Sequence, residues 1–175
     1  MPRYPGVNAP TWCIFNDEDK TGVTWHYVNK NIDAGEIIYQ ESCIIGKDEK
    51  AFQLSARLMK MAQTGLEMFF CDLLGGEVRS RKQGGKGGPV CYSNSIPAGG
   101  YFELTDDSEY IYRLLRSVDF GRIGVFPPVK FNYAGKECEV LKYKKSENAE
   151  KTNKPNWICI KLTNGSCLQI KYKIV

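Results

Sequence analysis

The sequence predicts an α/β chain in two parts: a βαβ-type piece with one long amphipathic helix over 1–78, and a small strand-rich α+β domain over 90–175. Three observations predict it. Apolar residues recur at helical spacing between 52 and 74. Short β-branched and aromatic runs bounded by turn formers lie before that stretch and again beyond residue 129. Between the parts, 79–89 is rich in Gly and Lys without any period, which reads as a flexible linker.

Residues 8–15 read as a short helix, with Asn8 as N-cap, Pro10 tolerated in the first turn, and Trp12, Ile14 and Phe15 supplying apolar surface. A turn at 16–22 leads to strands at 23–28 and 36–45, joined by a link at 29–35 full of turn formers. From Asp48 the period changes to that of a helix through Leu74, capped by Asp48 and ended by Gly75 and Gly76 in a left-handed C-cap. Its Met and Phe stripe reads as a packing face. In the linker, Lys86 is followed by Gly87 and no strand feeds in, so the spacing is not that of a phosphate-binding loop. Asp106-Asp107-Ser108-Glu109 has the acid-x-x-Glu form of a helix start, and the helix runs to about Asp119. Paired prolines make 120–128 an irregular loop. Strands at 129–133 and 137–143 flank a turn at 134–136, and a charged loop covers 144–155. Residues 157–162 and 167–174 alternate apolar and polar around Asn164-Gly165, predicting a hairpin with a primed-type turn. Asn164-Gly165-Ser166 also fits a glycosylation acceptor, a reading that is empty without a secretion signal.

Composition narrows the function classes. The 175 residues carry a net charge of +4 from scattered Lys and Arg, which reads as a solvated surface that tolerates an acidic substrate rather than a nucleic-acid stripe. No apolar run reaches the roughly 20 residues a membrane span needs, and Met-Pro-Arg-Tyr-Pro has no signal core, so a cytoplasmic location and no membrane partner are expected. The seven cysteines, with no C-x-x-C pair, read as buried free thiols rather than a disulfide framework or zinc site. With His26 the single histidine, no metal site is expected.

The residue type and place that best suit chemistry are Asp33, in the tight turn Asp33-Ala34-Gly35 between two strand-like runs. An attacking nucleophile that must lose a proton needs a carboxylate placed to take it. Asp33 could be that carboxylate, although Asp in a turn needs no such reason to exist. His26 falls on the opposite face of its strand from Trp25 and Tyr27, where a hydrogen-bonded structural histidine is the ordinary reading.

Over residues 2–74 the Pro-Arg-Tyr-x-Gly loop, the short helix, Gly22-Val23-Thr24-x-His26 and Ile32-Asp33-x-Gly35-x-Ile37 resemble the second half of the catalytic domain of 10-formyltetrahydrofolate-dependent formyltransferases. Past the linker, Tyr92-Ser-Asn-Ser-Ile-Pro97, the helix through Tyr112 to Gly121, and Pro-Pro-Val-Lys-Phe131 are most similar to the amino-sugar and peptide-synthetase branch. The resemblance implies an incomplete Rossmann-like core followed by the family's strand-rich C-terminal domain. It implies N-formyl transfer from 10-formyltetrahydrofolate to a primary amine on an amino sugar, a carrier-bound aminoacyl group or methionyl-tRNA. It makes Asp33 the catalytic aspartate, with His26 and Gly35 as possible supporting residues, and it assigns no cofactor-binding residue. In the family the matching loop follows Asn-x-His-Pro-Ser-Leu-Leu, whose Asn and His hold the formyl oxygen, and Met1 stands where its last Leu would be. The expectation is therefore a fragment with little activity alone, or else a non-catalytic binding module, self-associating or completed by another chain.

Overall fold

The structure, a computed structural model, describes residues 3–76, 78–84, 87–147 and 154–175. The chain divides into two compact units, Met1–Ser95 and Ile96–Val175. Residues 79–89, expected as a linker, fall inside the first.

In the first unit, α1 is Ala9–Phe15, with Asn8 at its N-cap in the left-handed region and no side-chain cap bond, so the expected capping bond is absent. Strands β1 (Lys20–His26) and β2 (Ile37–Ile44) pair antiparallel from Lys20↔Ile44 to His26↔Ile37, with an irregularity between Trp25 and His26. The pairing starts three residues earlier than expected because Gly22 has no Cβ: one built there would lie 2.1 Å from the Glu41 carbonyl oxygen. Helix α2 (Ala51–Gly75) begins after Lys50 rather than Asp48, where the Lys50 N–H donates to Gln53 Oε1 at 3.0 Å, and it ends on left-handed Gly76. Ala51, Leu54, Leu58, Gly65 and Phe69 form its buried stripe. Against that stripe the hairpin sets two rings, Trp25 edge-on to Phe69 at 5.8 Å and Tyr39 stacked on it at 6.1 Å. Trp25 Nε1 donates to the Ala62 carbonyl at 3.0 Å, and Tyr39 lies where a Cβ on Gly65 would meet it at 2.4 Å. Only part of the predicted stripe is buried: Phe70, Leu73 and Leu74 are exposed. The expected βαβ unit is, among the described residues, an antiparallel hairpin followed by a helix.

The second unit is a five-stranded sheet ordered β3-β4-β5-β7-β6, with β3 (Tyr101–Phe102) parallel to β4 (Lys130–Tyr133) and β5 (Lys136–Ser146), β7 (Cys167–Ile174) and β6 (Trp157–Lys161) antiparallel. Helix α3 (Ser108–Ser117) starts one residue later than expected, because Asp107 is the residue whose carboxylate accepts from the Tyr110 N–H. Its core includes Ile111, Leu114, Leu115, Leu168 and Ile170, with Phe102 stacked on Phe131 at 5.0 Å. Strand β5 outruns its expected end at Tyr143, since Lys144, Lys145 and Ser146 still pair with β7; residues 148–153 of the expected charged loop lie outside the described residues.

The β6–β7 turn is not of the primed type. The Gly165 N–H bonds the Leu162 carbonyl at 3.0 Å, neither central residue of that turn, Thr163 or Asn164, has positive φ, and the left-handed residue is Gly165 after them, while Asn164 Oδ1 accepts from Ser166. This places Cys159 and Cys167 with Cα atoms 6.0 Å apart and their sulfurs next to each other. Cys13, Cys91 and Cys138 are buried free thiols, whereas Cys71 is exposed.

Candidate active site

The turn between β1 and β2 carries Asp33, and the chain's close packing there fixes its conformation. The Tyr27 N–H donates to the Glu36 carbonyl at 2.9 Å. Buried Gly35 makes that approach possible, since a Cβ on it would lie 1.6 Å from the Tyr27 carbonyl oxygen. Asp33 itself adopts φ 52, a left-handed conformation that Asp tolerates better than most residues.

Its carboxylate is held on both oxygens. Oδ2 accepts from the Gly6 N–H at 2.6 Å, and Oδ1 faces His26 Nε2 at 3.5 Å, the two side chains being 21 % and 16 % exposed. His26 Nδ1 is 2.9 Å from the Tyr27 carbonyl. A carbonyl only accepts, so Nδ1 carries a hydrogen there and Nε2 is the ring nitrogen that faces Asp33. The structure therefore joins two residues that sequence spacing left on separate elements.

Two segments remote in sequence complete the surroundings. Gly6, at φ 99, is pinned by a parallel bridge to Cys91: the Val7 N–H bonds the Cys91 carbonyl at 2.9 Å and the Cys91 N–H bonds the Pro5 carbonyl at 2.8 Å. The loop before it is tied to Glu18, which accepts from Arg3 and, at 2.7 Å, from the Tyr4 hydroxyl. Burial and the Glu18 carboxylate push the Tyr4 phenol up to about 12. Gln83 Nε2 donates to the carbonyls of Asp33 and Gly35, both at 2.7 Å. Sequence reading missed Gln83, because nothing in a Gly- and Lys-rich run marks one amide as reaching back some fifty positions.

Among the described residues no group of three or more His, Cys, Asp or Glu could hold a metal ion. A cavity of about 430 Å³ in the same unit is lined by Ile38, Phe69, Asp72, Val78 and Arg79, none of them a residue singled out from the sequence. No helix among the described residues is long and apolar enough to cross a membrane.

Known proteins resemble this chain over the same segment. The formyl transferase family, described as "Formyl transferase", matches residues 1–68. GDP-perosamine N-formyltransferase of Brucella melitensis is 29% identical over 136 residues, 78% of this chain and 50% of that protein. Methionyl-tRNA formyltransferase of Geobacter metallireducens is 26% identical over 156 residues, 89% of this chain and 47% of that protein. The chain thus spans about half the length of these two relatives. The crystal structure of an N-formyltransferase from Helicobacter canadensis, in complex with folinic acid and dTDP-3-aminofucose, superposes with a TM-score of 0.70 over 99% of this chain and 63% of that one, at 17% identity. The family match spans α1, β1, β2 and Asp33, so over that segment the chain is similar to the formyltransferase family.

Proposed function

We propose that this chain supplies the proton-accepting part of an N-formyltransferase site, with Asp33 as its catalytic carboxylate. The observation that carries the reading is the Asp33 carboxylate fixed by Gly6 and faced by His26. An amine that attacks a formyl carbon becomes cationic and must lose a proton. Asp33 Oδ1 takes that proton, and His26 Nε2 beside it shares the charge. Gly35 acts through the backbone alone, by letting the turn close.

The formyl donor that goes with this reading is 10-formyltetrahydrofolate. The residues around Asp33 do not form a cradle for it: the Gly6 N–H is engaged by Asp33 and the Gln83 amide by two carbonyls. We propose that this chain alone transfers formyl groups too slowly to detect. Removing one oxyanion donor typically lowers a rate about 10²–10³-fold. As acceptor we propose a primary amine on a nucleotide-linked amino sugar, supported by the Brucella relative, ahead of a carrier-bound aminoacyl group or methionyl-tRNA. A cytoplasmic setting suits such biosynthetic one-carbon chemistry.

A second reading has its own observation. Met68, Phe70, Leu73 and Leu74 leave apolar surface exposed at the end of α2, which suits self-association or a completing chain seated on an incomplete Rossmann-like core. The test covers both. Formyl transfer from 10-formyltetrahydrofolate is followed for the chain alone and for the chain co-expressed with the remaining half of the Brucella relative, against GDP-perosamine, methionine and methionyl-tRNA. The proposal expects turnover only in the second preparation and fastest with the amino sugar. Binding in ultracentrifugation without turnover under either condition favours the non-catalytic module.

A further inference from the structure

Residues 80–83 and 88–91 act on the Asp33 turn from both sides. At one end the Arg81 backbone exchanges two hydrogen bonds with Ile37, at 2.8 and 2.9 Å, while Ser80 bonds Glu36 and Arg81 bonds Gln40, each at 2.5 Å. At the other end Gly88 crosses the chain at Arg3 so closely that a Cβ would lie 2.0 Å from the Arg3 carbonyl oxygen, and Cys91 bridges Gly6. One end is thus tied to the strand that leaves the turn. The other is tied to the segment whose N–H holds the Asp33 carboxylate. Gln83 lies between these anchors, half-buried.

Its contacts are specific to an amide. A carboxamide nitrogen carries two hydrogens, and here both are used, one on the Asp33 carbonyl and one on the Gly35 carbonyl. Those two carbonyls flank the tightest part of a turn in which Asp33 sits at φ 52, a conformation in which Cβ crowds the following carbonyl. Without the amide, these carbonyls would turn to water.

We propose that Gln83 is a positioning residue: its amide locks the Asp33–Gly35 turn and thereby keeps the Asp33 carboxylate seated on the Gly6 N–H. The inference deepens the reading of Asp33 as the working carboxylate and rests on it. It makes 80–83 and 88–91 two ties of the site.

The test needs no turnover, so its failure is distinct from failure of the functional reading. In the full chain, the Gly6 amide is followed by proton–nitrogen NMR and by hydrogen exchange in wild type, Gln83→Met and Gln83→Lys. Met keeps length and bulk but donates nothing, whereas Lys keeps donors. Asp33→Ala gives the position of a Gly6 amide with no carboxylate. In Gln83→Met the Gly6 resonance moves most of the way to that position, and its exchange speeds up about tenfold, the factor expected from loss of one good hydrogen bond. Gln83→Lys restores part of both. Amides of α2 stay unchanged, separating positioning from unfolding. A Gly6 amide that behaves in Gln83→Met as in wild type would overturn the proposal, as would a loss shared equally by α2.

Discussion

Replacing Gly35 by Ala tests whether close backbone packing builds the site. The new Cβ has no room: it would stand 1.6 Å from the Tyr27 carbonyl oxygen and 2.6 Å from its carbon, and both are backbone atoms that a rotamer change cannot move. The ladder must open. That strands the bond from the Tyr27 N–H to the Glu36 carbonyl and pulls the Gly35 carbonyl off Gln83, at about 1 kcal/mol each. Residual crowding adds about 1–3 kcal/mol, as overpacking does elsewhere, and the lower entropy of the unfolded Ala chain adds nothing in return because its native site is blocked. The expected loss is about 3–5 kcal/mol in the first unit. Amide exchange in urea, read on peptides from β1 and β2, measures it without interference from the second unit. With m near 1–3 kcal/mol/M, the midpoint of those peptides falls by about 1–5 M. A shift below about 0.5 kcal/mol, with the His26–Asp33 contact intact, would refute the packing argument.

Other consequences are narrower. Tyr4 keeps its proton in the folded chain up to about 12, while an unfolded tyrosine loses it near 10, so the folded state binds more protons across that window and stability falls as pH rises through it. Tyr4→Phe should flatten that part of the alkaline unfolding curve, and an unchanged slope would show that Tyr4 does not carry it. In the second unit, burial and Asp119 push the Tyr143 phenol far above its ordinary range, and its hydroxyl donates to Asp119 at 2.7 Å. Tyr143→Phe should lower that unit's stability by about 1–3 kcal/mol, as losing a buried bond to a carboxylate does; calorimetry showing no change would mean that solvent replaces the bond.

What the sequence made legible was local. The helical period of α2 and the alternation of β6 and β7 announce themselves, and the Asp33 turn was recognisable by its Gly and its flanking strands. Errors clustered where tertiary pairing decides. Gly22 lengthened β1 because its partner strand comes close, β5 continued because β7 gave it hydrogen bonds, and Lys50 took over a cap that Asp48 seemed suited to by type. Asn164 stayed out of the left-handed region because its side chain is held by Ser166, and Cys159 met Cys167 only once register was fixed. Within the site, Asp33 was legible. The nearness of His26 depended on the irregularity at Trp25 and His26, while the Gly6 and Gln83 contacts span 27 to 50 residues and leave no periodic trace.

The sharpest measurement is the rate of N-formyl transfer by Asp33→Asn beside wild type, in the co-expressed preparation that turns over GDP-perosamine. Asn keeps the size of the side chain and an oxygen for the Gly6 N–H, but it cannot take a proton. A loss of at least about 10²-fold, the least a general base usually supplies, is the result expected. Turnover that survives this exchange would contradict the assignment of Asp33.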